Sequence, residues 1–184
     1  ACGLRDVVVS PGSRNAPLVI AAHAHPEIRL VTALDERSAA HIALGMALST
    51  RRPAAVVSTS GTAAVNHGPA LAEAYFSGVP LLSVTADRSV ASRPTGPGQF
   101  VHQTNLFAVH TVLSLEVDEA TQGESDIERQ ALAAWTATAK GPVHVNVPFE
   151  EPLYGTVEAT PTSASVTVVR AEETPMPDEL LDAL

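Results

Sequence analysis

Short runs of apolar, mostly β-branched residues recur along this chain, separated by longer stretches whose apolar residues return every three to four positions. Runs of the first kind predict buried strands, and the longer stretches predict helices packed by one face. Val7, Val8 and Val9 are expected to form a strand, and Asn15 with Pro17 to open a helix reaching His23, since proline is tolerated in a first turn. Residues 28–34 make a second strand. Asp35 then caps a helix over 36–49, with Ala39, Ala43, Met46 and Ala47 along one side. A third strand at 54–58 runs into a helix from Gly61 and Thr62 to Phe76, and Gly78 and Pro80 part that helix from a fourth strand at 81–86.

Residues 87–104, with Pro94, Gly96, Pro97 and Gly98, read as a loop, and a loop that long inside a domain is functional or disordered. A short helix near 104–109 and a strand at 112–117 follow. Ser125 and Glu128 have the spacing of a capping box, so a helix is expected there that buries Leu132 and Trp135 and stops at Gly141 and Pro142. The sixth strand is 143–147. Strands alternating with helices predict an α/β fold: a six-stranded, mainly parallel sheet with helices on both faces. Four of the strands end in polar, ligand-capable residues: SPGSRN at 10–15, LDERS at 34–38, STSGT at 58–62 and TADRSV at 85–90. In an open parallel sheet those ends share one edge, where ligands bind. From residue 156 Thr, Ser, Pro and Val dominate, and 177–184 has the look of a helix just begun. The expected division is one domain over 1–155, then a linker and the start of a further domain over 156–184.

Composition narrows the function classes. A hydrophobic content of 45% and a charged content of 17% suit a soluble, well-cored domain, and with only 4% aromatics Ala, Val and Leu must fill the interior. The net charge of -9 argues against nonspecific nucleic-acid binding. The basic residues are ten arginines and one lysine, Lys140, and Arg14, Arg37, Arg88 and Arg93 all fall at or just beyond strand ends, a pattern suited to a small polyanion. The single cysteine, Cys2, excludes an internal disulfide and a cysteine-based zinc site. The seven histidines show no metal-ligand spacing. No apolar run spans a bilayer, and no basic-then-apolar leader is present, so a cytoplasmic protein without stable membrane insertion is expected.

Each polar strand end admits two readings. PGSR at 11–14 would present the Ser13 hydroxyl, the Arg14 guanidinium and helix amides to an anion, or be a tight turn with a capping serine. Glu36 is well explained by the helix macrodipole alone, unless its place at a strand end turns its carboxylate toward a cleft. Residues 58–62 combine four hydroxyls with a glycine where backbone can approach a ligand, but capping serves equally well. Asp87 and Arg88 read as a surface ion pair, and Gln99, His102 and Gln103 as polar loop residues that need no explanation. There is no GxSxG context, so a serine hydrolase is disfavoured.

Taken in order, SPGSRNAPL at 10–18, LDERSAAHIALGMA at 34–47, STSGTAAVNHGPALAEAYFSGVPLLSVTADR at 58–88 and GPVHVNVPFEEPL at 141–153 resemble the N-terminal, pyrimidine-binding domain of the thiamine-diphosphate-dependent synthases of menaquinone biosynthesis. The resemblance covers about residues 3–153 and implies a domain truncated from a three-domain enzyme. Middle and diphosphate-binding domains would follow, the latter carrying the ligands of Mg²⁺ and diphosphate. It implies at least a homodimer, or a homotetramer, because the cofactor of such enzymes lies between two subunits. Their reaction decarboxylates 2-oxoglutarate and adds the succinyl-semialdehyde unit to isochorismate. By resemblance Glu36 is the catalytic carboxyl that bonds N1′ of the aminopyrimidine, for which it must carry a proton at neutral pH. Ser60 and Gly61 join Glu36 in holding the cofactor, while Ser13, Arg14, Arg88 and Gln99 contact the dicarboxylate substrate. The chain departs from the family pattern after Arg88, where Ser89, Val90 and Ala91 stand in place of prolines and an acidic residue, and at Pro97 and Gly98. Arg93 matches a frequent loop arginine with no assigned catalytic part. The resemblance also implies that the piece alone is inactive. Two other readings are another thiamine-diphosphate decarboxylase of acetolactate type, which the SPGSR and TADR motifs disfavour, and a non-catalytic nucleotide-binding α/β domain.

Overall fold

The computed structural model describes residues 3–95 and 98–154. Cys2 and the expected linker over 156–184 lie outside the described residues. Six strands, β1 (Asp6–Val9), β2 (Arg29–Thr32), β3 (Ala54–Ser58), β4 (Leu81–Arg88), β5 (Leu113–Glu116) and β6 (Val143–Phe149), form one sheet in the order β2-β1-β3-β4-β6-β5. Every pairing is parallel, which sharpens the expectation of a mainly parallel sheet. The registers Val9↔Thr32, Val9↔Val57, Ser58↔Thr85 and Arg88↔Phe149 bring the strands' carboxyl ends onto one edge. The strand order reverses between β1 and β3 and again around β6, so this edge carries the switch points where an open sheet leaves a crevice.

The helices are α1 (Ala16–Ala24), α2 (Glu36–Thr50), α3 (Thr62–Val65), α4 (Gly68–Phe76) and α5 (Glu124–Ala137). Alternation of side chains along the central strands sorts the core into two layers. Val8, Ala54, Val56 and Leu81 pack with Ala39, Ala40, Ala43 and Leu44 of α2 and Ala70, Leu71 and Ala74 of α4. Val7, Val9, Ala55 and Val57 face the opposite way, toward Leu18 and Val19 of α1. Alanines on α2 let its backbone lie close over the sheet. Fully buried Leu71 and Leu81 each contribute roughly 1.5–3 kcal/mol by leaving water.

Several local expectations are corrected. The single helix from Gly61 to Phe76 is two, α3 and α4, broken at Asn66 and His67. Pro69, in the first turn of α4, has no N–H with which to continue the earlier helix, and His67 turns wholly inward. Ser125 and Glu128 form no capping box, because α5 starts earlier: Gly123 is its N-cap, without a side-chain bond, and Glu124 and Asp126 complement the first turn. Leu132 is exposed and Trp135 half-buried, while Ala134 is the residue α5 buries. The short helix expected near 104–109 is a turn followed by a 3₁₀ segment at Ala108–His110. The expected loop at 87–104 holds the end of β4 and a 3₁₀ segment at Val90–Thr95.

Candidate functional site at the carboxyl edge of the sheet

The loops after β1 and β3 lie against one another at the first switch point. A Cβ on Gly12 would stand 2.5 Å from the Thr59 Cβ, so only glycine allows this approach. Ser10 and Ser58 follow Val8 and Val56 by two positions, which aims their hydroxyls to the α2 side of the sheet. Both hydroxyls are buried without a partner, as is Oδ1 of Asn15, whose Nδ2 donates to the Ser10 carbonyl at 2.8 Å. Unsatisfied buried polar atoms are costly, about 1–3 kcal/mol each, and three at one sheet edge mark a place built to receive polar groups. Gly61 has φ 81°, and a Cβ there would collide with the Gln99 carbonyl, so the loop carrying Gln99 rests on Gly61. The Gly61 amide donates to Oε1 of Gln103 at 2.5 Å, and Ser60 beside it is buried.

Arg14 reaches across the edge. Its Nη1 donates to the Phe149 carbonyl at 3.0 Å and its Nη2 pairs with Glu151 at 3.1 Å, leaving the side chain 15% exposed. Phe149 is the strand partner of Arg88, so both arginines are anchored at the paired ends of β4 and β6. Arg88 Nη2 donates to the Gly98 carbonyl at 2.7 Å, and among the described residues its guanidinium has no carboxylate partner. The contacts therefore gather Arg14, Ser60, Gly61, Arg88 and Gln99, with Ser13 exposed on the turn next to Arg14. Arg37 and Arg93 do not join them. Arg37 is exposed on α2, and the Arg93 charge is spent on Asp87 and Glu116.

Glu36 lies one strand further along the same edge. The Ala33 amide donates to the Val9 carbonyl at 2.9 Å, tying the exit of β2 to the end of β1. Asp35 caps α2 by accepting from the Ser38 amide at 2.7 Å, and that bond draws its carboxyl below the ordinary range. This places Glu36 in the first turn, at the carboxyl edge and on the side of the sheet where α2 packs. Glu36 is half-buried, and among the described residues its carboxyl makes no hydrogen bond or ion pair.

A polar network beneath β4, β5 and β6 was not visible in the sequence. Asp87, expected on the surface with Arg88, is 1% exposed and pairs with Arg93 at 2.9 Å. Arg93 also spans both Glu116 oxygens, at 3.2 and 3.0 Å. Burial raises the Glu116 pKa, but bonds from Arg93, Thr104 and Asn146 outweigh it and hold the carboxyl low. Asn146 donates to Asp87 and Glu116 and accepts from Thr85 and Gln103. Gln103, read as an ordinary loop residue, is 1% exposed and carries this network to Gly61. Because Thr85 gives its proton to Asn146, the bond at 2.8 Å to His144 requires His144 Nε2 to be the donor. His144 and His67 flank Phe107 in the core, each with one ring nitrogen unpartnered. Burial lowers the pKa of His67 to about 3 and of His144 to about 4. Among the described residues no group of three His, Cys, Asp or Glu side chains is arranged for a metal ion, and no helix is long and apolar enough to cross a membrane.

Residues 1–110 match the family model of the thiamine pyrophosphate enzyme, N-terminal TPP binding domain. The chain belongs to this family. It is 42% identical, over 91% of its length, to the 2-succinyl-5-enolpyruvyl-6-hydroxy-3-cyclohexene-1-carboxylate synthase of Flavobacterium johnsoniae, covering 30% of that protein. The synthase of the same name from Flavobacterium psychrophilum is 42% identical over 95% of the chain and 32% of its own length. That of Geobacillus kaustophilus is 45% identical over 82% of the chain and 27% of its own length. The chain thus spans about a third of the length of the curated relatives it matches. As a TPP-binding domain it fits its cofactor at this edge: an unpaired half-buried carboxyl at Glu36, orphaned hydroxyls at Ser10 and Ser58, and a glycine at 61 where backbone comes close.

Proposed function

We propose that this chain is the pyrimidine-binding part of a synthase that decarboxylates 2-oxoglutarate and adds the resulting four-carbon unit to isochorismate in menaquinone biosynthesis. The observation carrying this reading is that Arg14, bonded to the Phe149 carbonyl, and Arg88, in register with Phe149, both stand at the carboxyl edge where Glu36 is unpaired among the described residues. Two guanidinium groups over one crevice suit a substrate with two carboxylates. When bound, thiamine diphosphate supplies the electron sink for loss of CO₂ from a 2-oxo acid. Glu36 would share a proton with N1′ of the cofactor's aminopyrimidine. Ser60 and Gly61 would support that ring through backbone approach. Ser13, Arg14, Arg88 and Gln99 would bind and orient isochorismate. The remainder of the full-length protein would bring the Mg²⁺ and diphosphate ligands, a second subunit would complete each site, and the enzyme would work in the cytoplasm.

The test is to mix the full-length protein with thiamine diphosphate, Mg²⁺, 2-oxoglutarate and isochorismate and to follow CO₂ and the carboligated product. Both should form. Glu36→Gln should fold and lose about 10²–10⁴-fold in turnover, the usual scale of a lost proton-transfer group. Near-wild-type turnover of that variant would refute the role given to Glu36.

A further inference from the structure

Arg14 is assigned above to a substrate carboxylate, yet its guanidinium already has two partners from a single stretch of chain. Phe149 gives a carbonyl to Nη1 and Glu151 a carboxylate to Nη2. One hydrogen bond would leave the guanidinium free to rotate about the bond axis. Two bonds, to different terminal nitrogens, fix its plane. The segment supplying them is itself held at both ends: Phe149 closes β6 in register with Arg88, and Leu153 is 6% exposed. Glu151 stands 67% exposed by its side chain, facing solvent beside a guanidinium that is 15% exposed. Two of the five N–H groups of Arg14 are engaged, which leaves three for a ligand.

We propose that Glu151 is a positioning residue for Arg14: it fixes the plane of the guanidinium so that its free N–H groups present a ready-made fork to one carboxylate of a dicarboxylate substrate. The proposal rests on the reading of Arg14 as a substrate contact. Pre-organisation of this kind removes rotamer freedom before the ligand arrives, and so appears in substrate affinity rather than in turnover. A second role is open to the same carboxylate, that of a competitor which the substrate must displace. The two roles predict opposite signs.

The experiment compares full-length wild-type enzyme with Glu151→Ala and Glu151→Gln, each loaded with thiamine diphosphate and Mg²⁺. Isochorismate Kd is measured by calorimetry without 2-oxoglutarate, and KM is measured for both substrates. Glu151→Ala should weaken isochorismate by about tenfold in Kd and KM, the scale of one charge-assisted hydrogen bond no longer held ready. The 2-oxoglutarate KM and the cofactor Kd should stay within about twofold, since neither ligand uses Arg14. Glu151→Gln keeps one acceptor oxygen on Nη2 and should recover part of the loss. Unchanged or tighter isochorismate binding in Glu151→Ala would overturn the proposal, and tighter binding would identify Glu151 as a competitor. If Glu151→Ala does not fold, Glu151→Gln decides by the same signs. Should wild-type enzyme neither bind isochorismate nor join it to 2-oxoglutarate, the functional reading fails, an outcome separate from failure of the Glu151 assignment.

Discussion

Acid should loosen this fold well before its carboxylates titrate, through the two histidines around Phe107. His67 and His144 are fully buried, and burial lowers their pKa values to about 3 and about 4 from 6.5 in the open chain. His67 also feels His144, while Glu116 opposes the shift at His144. A lowered histidine pKa means that the folded state holds the neutral ring while the unfolded chain takes up a proton. Stability is therefore complete above about pH 6.5 and falls as the pH drops below it, by about 1.4 kcal/mol per unit for each ring until the folded pKa is reached. Together they should cost roughly 3–4 kcal/mol between pH 7 and pH 5, a large share of the 5–15 kcal/mol typical of a domain. The lowered carboxyl of Glu116 works in a different window, its contribution being lost only below its ordinary range, so the histidines dominate above pH 5. Urea unfolding at half-unit pH intervals measures the slope, and His144→Gln should remove about half of it. A stability that stays flat from pH 7 to 5, or an unchanged slope in His144→Gln, would refute the reasoning.

Two further substitutions probe the edge. Arg93→Met should destabilise the domain by about 3–5 kcal/mol in thermal or urea unfolding, because it strands the buried Asp87 and the half-buried Glu116 without their cation. Arg88→Ala in the full-length protein should raise isochorismate KM by about 10–100-fold, while 2-oxoglutarate decarboxylation measured alone stays within a few-fold. An equal loss in both would remove Arg88 from the substrate site.

The parallel sheet and its polar carboxyl edge were legible because they depend on local signals. Val7, Val8 and Val9 or Ala54 to Ser58 read as strands from a few adjacent residues, and the polar motifs that follow them had to share an edge once the strands were parallel. The structure brings Arg14, Ser60, Gly61, Arg88 and Gln99, each singled out from sequence, to this one edge. The residues that hold them were not. Asn146 meets Asp87 from 59 positions away, Gln103 meets Gly61 from 42, and Arg14 meets Phe149 from 135, distances at which no periodicity connects two side chains. The break at Asn66 and His67 was missed for a related reason. The helical pattern runs through it, and what interrupts it is Pro69 together with a buried bond from His67 to Ser83 on another element. At α5 the capping-box spacing was present but competed with an earlier start at Gly123, which supplies a cap without any side chain.

The central claim is that the carboxyl in the first turn of α2 meets the aminopyrimidine of thiamine diphosphate. A crystal structure of the full-length protein with the cofactor and Mg²⁺ measures this directly. The Glu36 carboxyl should lie about 2.6–3.2 Å from N1′, with the Arg14 and Arg88 guanidinium groups opening onto the same crevice. A pyrimidine ring bound away from Glu36, or Glu36 turned to solvent with the cofactor in place, would contradict it.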